Sequence, residues 1–161
     1  EAGGRLYFIQ WSQQLDRGQL CSMPVDGGAI RTHTSADAFL LSPNKQYGAV
    51  SGENERGSYL NLANLSTGQV FPVNQGSIVV DMQWDAAGDR LYYSVYNAEA
   101  DNEDQPLSLY VYDVATGANE KLMDMVAGSL YPANASRGVV LVYLFTQVNQ
   151  AIPMSYWLPL D

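Results

Sequence analysis

The sequence predicts an all-β fold assembled from a tandem repeat of about forty residues. Three observations carry this prediction: a short apolar motif recurs, a glycine turn recurs downstream of it, and apolar and polar side chains alternate between them with a period of two. No long stretch has the periodicity of a helix. With 161 residues, of which 47% are hydrophobic, the chain is long enough for one domain with its own core. Repeats of this length that hold four short strands are typical of β-propeller blades.

The apolar motif opens the chain and recurs through it. Residues 4–8 (GRLYF) return two repeats later as residues 89–93 (DRLYY). Between them, residues 46–50 (QYGAV) hold the same place after a turn, and residues 138–141 (GVVL) hold it a fourth time. Four occurrences at intervals of 42, 43 and 49 residues indicate four structural units.

A glycine turn closes the alternating run in three of these units. The turns PVDGG, NLSTG and DVATG end at Gly28, Gly68 and Gly117, so the second spacing is the longer of the two. That longer spacing contains one acidic loop. Glycine turns that end alternating runs predict strand boundaries.

Each complete unit divides into four predicted strands. The innermost runs into a turn such as 41–44 (LSPN) or 83–88 (QWDAAG), and the second is the type at 91–95 (LYYSV). The third is the type at 108–114 (SLYVYDV), and the outermost follows the glycine turn, as at 69–73 (QVFPV). Alternation rich in Tyr, Val and Leu predicts half-buried antiparallel strands.

These segments carry a family resemblance. LSPNKQYGAV, QWDAAGDRLYY and LYVYDVATG resemble the repeat of TolB-like propellers, with its W-S-P-D-G turn and later L-Y-x-x-D-x-x-T-G. The turn at 85–88 (DAAG) departs from that pattern by losing the proline, and the segment at 132–138 (PANASRG) keeps little beyond the glycine. The resemblance implies a propeller that serves as a periplasmic interaction partner, or as a sensor or accessory domain of regulators and peptidases. It also implies a bacterial extracytoplasmic location.

The strand count predicts incomplete first and last blades. We place the blades approximately at 1–36, 37–76, 77–125 and 126–161, with three, four, four and three strands. The first blade begins in a second strand, and the last ends in a third strand. The count is consistent with a piece of a longer propeller, a half-ring that dimerises to complete a larger ring, or a closed four-bladed monomer, because exposed strand edges must be covered.

Composition excludes several classes of function. The net charge of −9 argues against nucleic-acid binding, which needs Lys and Arg to replace phosphate counterions. The longest apolar run, residues 139–145, is far shorter than the ~20 residues that span a bilayer, so we expect no membrane insertion. The single cysteine, Cys21, cannot form an internal disulfide, and we expect it to be buried and unreactive in a strand.

One loop concentrates the negative charge. No Lys or Arg occurs between Leu91 and Glu120, whereas six acidic residues do. Four of them lie in the loop at 97–106, whose carboxylates make a weak candidate site for calcium or a surface for a basic partner. The spacing does not match a calcium-binding loop, so a solvated hairpin tip is the simpler interpretation. The four residues are Glu99, Asp101, Glu103 and Asp104.

Catalysis by this chain alone is not predicted. His33 is the only histidine, and we expect it to lie exposed on an outermost strand, away from any central pocket. The sequence has no G-x-S-x-G nucleophile motif. A nucleophile, a base and an oxyanion donor therefore cannot be assembled, and we expect neither a catalytic site nor a cofactor.

One of the three tryptophans is predicted to lie in the core, and the other two are candidates to contact a partner. Trp84 precedes the blade turn, where this repeat type packs an aromatic ring between blades, and Tyr93 is expected to join it. Trp11 and Trp157 lie near the incomplete ends, where they are candidates to contact a partner together with Asp101 and Asp104.

Two hypotheses for function follow. The first is a non-catalytic binding or sensing module that presents its loops to a protein, peptide or small molecule. The second is the propeller of a prolyl-oligopeptidase-like peptidase, gating access to a catalytic domain outside this chain. A third possibility is that the chain closes a larger, eight-bladed ring by forming a homodimer.

Overall fold

A computed structural model describes residues 4–14, 17–96, 107–125, 127–132, 139–147 and 150–158. Within these ranges the chain forms fourteen strands, arranged in four antiparallel sheets, and no helix. Sheet 1 contains β1 (Arg5–Ser12), β2 (Arg17–Pro24) and β3 (Arg31–Ser35). Sheet 2 contains β4 (Ala38–Leu41), β5 (Tyr47–Asn54), β6 (Gly57–Asn64) and β7 (Val70–Gln75). Sheet 3 contains β8 (Ile78–Trp84), β9 (Arg90–Tyr96), β10 (Leu107–Asp113) and β11 (Asn119–Met125). Sheet 4 contains β12 (Ala127–Pro132), β13 (Val139–Gln147) and β14 (Gln150–Leu158).

Each sheet is a meander in which the strands pair in chain order. The distribution of three, four, four and three strands confirms the predicted count. By register, β1 takes the place of β5 and β9, so sheet 1 has, among the described residues, no strand equivalent to β4 or β8. Over the described residues the sheets do not close into a ring, which is the arrangement of a partial propeller.

The glycine turns form for a local reason. Gly68 and Gly117 have φ values of 78° and 71°, which side chains other than glycine rarely adopt. Each glycine N–H donates to the backbone carbonyl four residues earlier, on Asn64 and Asp113 respectively. The side-chain Oδ1 of the same residue accepts hydrogen bonds within the turn, including one from the Thr116 N–H to Asp113 at 2.8 Å. Backbone and side chain together end the third strand at a fixed point in both repeats.

Trp84 centres the core between sheets 2 and 3. Only 2% of this residue is exposed, and it packs with Leu60 and Leu62 from sheet 2 and with Leu91 and Tyr93 from sheet 3. The predicted core positions of Trp84 and Tyr93 are therefore confirmed. Aromatic rings fill the wedge between the two sheets.

A polar chain also joins sheets 2 and 3 near their outer strands. Burial raises the pKa of Tyr93 to about 12, so its hydroxyl keeps its proton at neutral pH. This hydroxyl lies 3.0 Å from the Asn119 Oδ1. The Asn119 Nδ2 in turn donates to the backbone carbonyl of Val73 at 3.0 Å. Polar groups that satisfy one another in this way fix the position of one sheet against the next.

A second core lies between sheets 1 and 2. Leu20 from sheet 1 packs with Val50 and Tyr59 from sheet 2, and all three are buried. The rings of Tyr7 and Phe39 stack across the same boundary with a centroid separation of 5.8 Å. The Tyr59 hydroxyl donates to the backbone carbonyl of Ser35, the last residue of β3. Sheets 1 and 2 are thus joined by the same combination of apolar packing and hydrogen bonds as sheets 2 and 3.

The prediction of half-buried strands is wrong for the second strand of sheet 3. In β9, every residue from Leu91 to Val95 is buried, whichever face it occupies. The reason is that sheet 3 packs on sheet 2 through Trp84 and on sheet 4 through Asp81, whose Oδ2 accepts a hydrogen bond from the Leu130 N–H at 2.8 Å. Alternation in the sequence identifies the strand but not the number of covered faces.

A β-bulge recurs between the third and outermost strands. The register shifts by one residue at Leu20, Leu60 and Leu109, so that one residue of the outermost strand has no partner opposite it. A bulge redirects side chains and increases the local twist. The unpaired residues are His33, Val73 and Leu122, which are spaced along the chain as the glycine turns are.

Candidate binding surface

The connections between strands lie at two opposite ends of the sheets, which we call the hairpin end and the turn end. The hairpin end carries the β1–β2 and β5–β6 hairpins and the links β3–β4 and β7–β8 (residues 12–14, 35–38, 54–57 and 75–78). The turn end carries the opposite connections (residues 24–31, 41–47, 64–70, 84–90 and 113–119). Connecting loops on a rigid scaffold are where binding residues concentrate.

A polar cavity opens at the hairpin end. Its volume is about 320 Å³, and it is broadly open to solvent. Two guanidinium groups, one carboxylate and two side-chain amides surround it, so it offers both donors and acceptors of hydrogen bonds. Because every lining side chain is polar, the cavity suits a polar or charged ligand better than an apolar one. The lining residues are Arg17, Asn54, Glu55, Arg56 and Gln75.

Local backbone geometry positions two sides of this cavity. The Asn54 Oδ1 accepts a 2.8 Å hydrogen bond from the Arg56 N–H, and Gly57, with φ of 104°, completes the turn. Arg17 precedes Gly18, where an added Cβ would lie 2.1 Å from the carbonyl oxygen of Ala36. Only glycine allows β2 to approach the β3–β4 link this closely, and that approach brings Arg17 next to sheet 2.

Trp11 lies at the same end as the cavity. This residue is 59% exposed, and its neighbour Ser12 pairs with Arg17 across the β1–β2 hairpin. Trp157 pairs with Val140 near the end of β14, which is the turn end of sheet 4. The structure therefore does not bring the two predicted partner-binding tryptophans to one surface. The side chain of Trp157 and the four acidic residues of the 97–106 loop (Glu99, Asp101, Glu103 and Asp104) lie outside the part of the chain that the structure describes, so these assignments remain predictions.

A second polar group of side chains lies on sheet 1. The Nε2 of His33 lies 2.7 Å from the Oγ of Ser22, a residue with no exposed surface. The Arg5 guanidinium donates to the same Oγ through Nε and Nη2, at 3.2 and 3.0 Å. Burial, followed by the positive charges of Arg31 and Arg5, lowers the pKa of His33.

The prediction that His33 is simply exposed is therefore wrong. The β3 bulge leaves His33 without a partner opposite it and places its ring against Ser22 and within 5.9 Å of the Tyr7 ring. Sequence alternation gives no signal for this contact, because an extra residue in the strand changes the face to which a side chain is assigned. The arrangement is not a nucleophile and base open to substrate, since Ser22 is fully buried.

Cys21 has the buried position that the sequence predicts. None of its surface is exposed, and its Sγ lies 3.7 Å from the Thr32 Oγ1 and 3.8 Å from the Gln10 Oε1. Among the described residues, no group of three or more His, Cys, Asp or Glu side chains is arranged to hold a metal ion. Within the same ranges there is no helix long and apolar enough to cross a membrane.

Comparison with known proteins places the fold. No family model and no curated protein sequence matches the chain. Among solved structures, the β-propeller domain of the Trilobed protease from Pyrococcus furiosus, which has an open velcro topology, matches with a TM-score of 0.71 at 14% identity, over 94% of this chain and 48% of that one. TolB from Acinetobacter baumannii matches with a TM-score of 0.64 at 13% identity, over 96% of this chain and 39% of that one.

A peptidase also has this fold. Acylaminoacyl peptidase from Pyrococcus horikoshii matches with a TM-score of 0.66 at 13% identity, over 89% of this chain and 26% of that one. The chain therefore has a TolB-like β-propeller fold, and it spans less than half the length of each of these three proteins. At such low identity the likeness concerns the fold, and function has to be argued from the surface residues.

Proposed function

We propose that this propeller module is a non-catalytic binding or sensing domain that engages its partner at the hairpin end. The polar cavity beside the β5–β6 hairpin is the observation that carries the proposal. Arg17 and Arg56 can donate to carboxylates or carbonyls, while Glu55, Asn54 and Gln75 can accept from N–H groups. This donor and acceptor set fits an extended protein or peptide segment, whose backbone offers both kinds of group.

Trp11 supplies an apolar contact next to this polar set. A tryptophan that is 59% exposed, at the same end of the sheets as these polar side chains, has the composition of an interface anchor with polar contacts around it. The sheets beneath are held by buried aromatic rings, so the surface is presented on a rigid support.

The test compares capture of a partner by variants at the two ends. The unchanged protein, once immobilised, should retain a partner from an extract of the source cells. Immobilised protein carrying Trp11→Ser or Arg56→Glu should retain at least about tenfold less of that partner. Lys45→Glu, a similar charge reversal in the exposed β4–β5 turn at the other end, is the matched control and should retain that partner. Equal loss with Lys45→Glu and Arg56→Glu would count against a specific surface at the hairpin end.

A second candidate function is the gating propeller of a peptidase. The likeness to the propeller of the Trilobed protease and to acylaminoacyl peptidase favours it. The discriminating observation is the polypeptide encoded next to this chain. A neighbouring α/β domain with a G-x-S-x-G motif would favour the peptidase, whereas a membrane helix with a DNA-binding or kinase module would favour the sensor.

The oligomeric state and location are also proposals. A propeller domain with approximate blades at 1–36, 37–76, 77–125 and 126–161, in whose first sheet the described residues form no inner strand, can complete a larger ring as a homodimer. The mass in solution at micromolar concentration tests this, because a strictly monomeric species would exclude the dimer. The extracytoplasmic location rests on the resemblance to TolB-like proteins, and cell fractionation tests it.

A further inference from the structure

The polar group on sheet 1 occupies positions that are apolar in sheet 2. When the repeats are aligned on their glycine turns, Ser22, Arg31 and His33 each fall on an apolar residue of the next repeat. Those apolar residues pack into the core between sheets 2 and 3, so the fold is compatible with apolar side chains at these positions. Polar residues here are therefore not a requirement of the repeat. The apolar equivalents are Leu62, Phe71 and Val73.

Three cationic or titratable side chains gather around Ser22. Arg5 and His33 both lie within hydrogen-bond distance of the Ser22 Oγ, at 3.0 and 2.7 Å. Arg31 pairs with Ser22 in the β2–β3 register, and a Cβ added to Gly68 of sheet 2 would lie 3.3 Å from its Nη2. The two guanidinium groups thus flank one half-buried imidazole at the boundary between sheets 1 and 2.

The hydrogen bonds favour the neutral form of His33. The Ser22 Oγ accepts from two N–H groups of Arg5, which occupy its lone pairs, so its own proton is directed to the His33 Nε2. A protonated His33 would direct a further donor at this oxygen and would add a third positive charge. The charged groups that act on it are Arg31 on its own strand and Arg5 on β1, while Phe39 from sheet 2 contacts the adjoining Tyr7 ring.

Neither guanidinium has an acidic partner in the described part of the chain. Sheet 3 supplies an internal comparison, because Arg90 takes the place of Arg5 in the recurring apolar motif and lies 3.8 Å from the Asp113 carboxylate across the strand pair. The residue opposite Arg5 is instead Pro24. Two guanidinium groups beside one half-buried imidazole therefore make a locally positive surface in a chain with 17 acidic residues.

We propose that Arg5, Arg31 and His33 form a binding site for an oxyanion, the carboxylate or phosphate group of a ligand. The anion supplies the missing counter-charge, and the planar guanidinium groups present paired donors that match two oxygens. The bound anion also compensates the positive charges of Arg5 and Arg31, which otherwise disfavour protonation of His33. Binding therefore strengthens as pH falls through the titration of His33. This site lies at the turn end, so it is independent of the partner surface at the hairpin end.

The only histidine of the chain reports directly on this site. The test follows the His33 ring-proton resonances by NMR while sodium phosphate or sodium acetate is added, with sodium chloride at equal ionic strength as reference. We expect a saturable shift and a His33 pKa that rises by about half a unit or more. A preference of about tenfold for phosphate over acetate would assign the site to phosphate groups, and comparable affinities would assign it to carboxylates.

Substitutions of Arg31 test whether the anion acts on His33 through this site. Arg31→Gln should weaken the anion effect at least about fivefold, and Arg31→Lys should retain part of it. The Arg31 side chain is exposed and makes no hydrogen bond to another described residue, whereas its backbone pairs with Ser22 in the sheet, so the fold should survive both changes. Lys45→Gln, in the exposed β4–β5 turn of sheet 2, is the matched control and should bind as the unchanged protein does. The proposal is overturned if neither anion acts beyond chloride, or if the response persists unchanged in Arg31→Gln.

Discussion

The indole Nε1 of Trp84 donates a 3.0 Å hydrogen bond to the backbone carbonyl of Leu40, which lies in the innermost strand of the preceding sheet. The bond links positions about one repeat apart, so it is a contact between neighbouring blades rather than within one. The same ring fills the apolar wedge between the two sheets. Trp84 therefore contributes both packing and a satisfied polar group at one boundary.

Removal of this ring should destabilise the protein severely. Trp84→Ala deletes a side chain that is 2% exposed and leaves a cavity, so we expect a loss of about 3–5 kcal/mol in the free energy of unfolding. Trp84→Phe keeps most of the ring but leaves the Leu40 carbonyl without its donor, and should lose about 1–2 kcal/mol. Urea denaturation measures both values. Equal, small losses in the two variants would mean that the ring is not wedged between blades.

Asp85 should be a second point of high sensitivity. This carboxylate is 1% exposed, and its Oδ1 accepts hydrogen bonds from the N–H groups of Gly88 and Asp89 at 2.7 and 2.9 Å. Asp85→Ala would leave both donors without this acceptor, and we expect a loss of about 2–3 kcal/mol. Asp89→Ala, in the same turn but exposed, is the control and should change stability by less than about 0.5 kcal/mol. Similar losses in both variants would contradict a structural role for the Asp85 carboxylate.

His33 should make stability depend on pH in a defined window. Because its pKa is lowered in the folded state, the unfolded chain takes up the proton first as pH falls below about 6.5. Stability should therefore decrease as pH falls from the unfolded pKa through the folded pKa, and the decrease should be absent in His33→Gln. Denaturation curves between pH 7.5 and 5 in chloride buffer measure this. At pH 5 and above, Asp113, whose pKa is lowered mainly by hydrogen bonds from Thr116, stays ionised and does not contribute. An identical pH dependence in both proteins would contradict the prediction.

The acidic loop gives a prediction about calcium. Replacement of Asp101 and Asp104 by Asn should barely change stability in the absence of calcium, because the sequence predicts a solvated hairpin tip, where charges contribute little. If the loop is only a solvated hairpin tip, added calcium should leave the melting temperature of both proteins unchanged. A calcium-dependent increase in the unchanged protein, lost in the double variant, would identify a calcium site instead.

Much of the fold was predictable because each repeat encodes its own strands and turns. Gly68 and Gly117 mark the ends of third strands through positive φ angles, which is a local property of the chain. The position of Trp84 was predictable from its place before a turn in a known repeat type. The burial of both faces of β9 was not, because it depends on packing between sheets rather than on the strand itself.

The polar sites were less predictable, since they arise from contacts between repeats. His33 meets Ser22 only because a bulge shifts the register of β3, and alternation alone assigns residues to faces without bulges. One signal was present in the sequence: aligning the first two repeats on their glycine turns places His33 against Val73 and Ser22 against Leu62. The cavity formed by Arg17 and Arg56 gave no such signal, because it joins connections from two different sheets.

The stacking of successive sheets can be tested most directly by nuclear Overhauser contacts of the Trp84 indole N–H. This resonance can be assigned by its loss in Trp84→Phe. We expect cross-peaks from it to Leu40 in β4, with contacts of the ring to Leu60 and Leu62 in β6. Cross-peaks confined to residues of β8 and β9 would show that sheets 2 and 3 do not pack face to face, and would contradict the propeller arrangement.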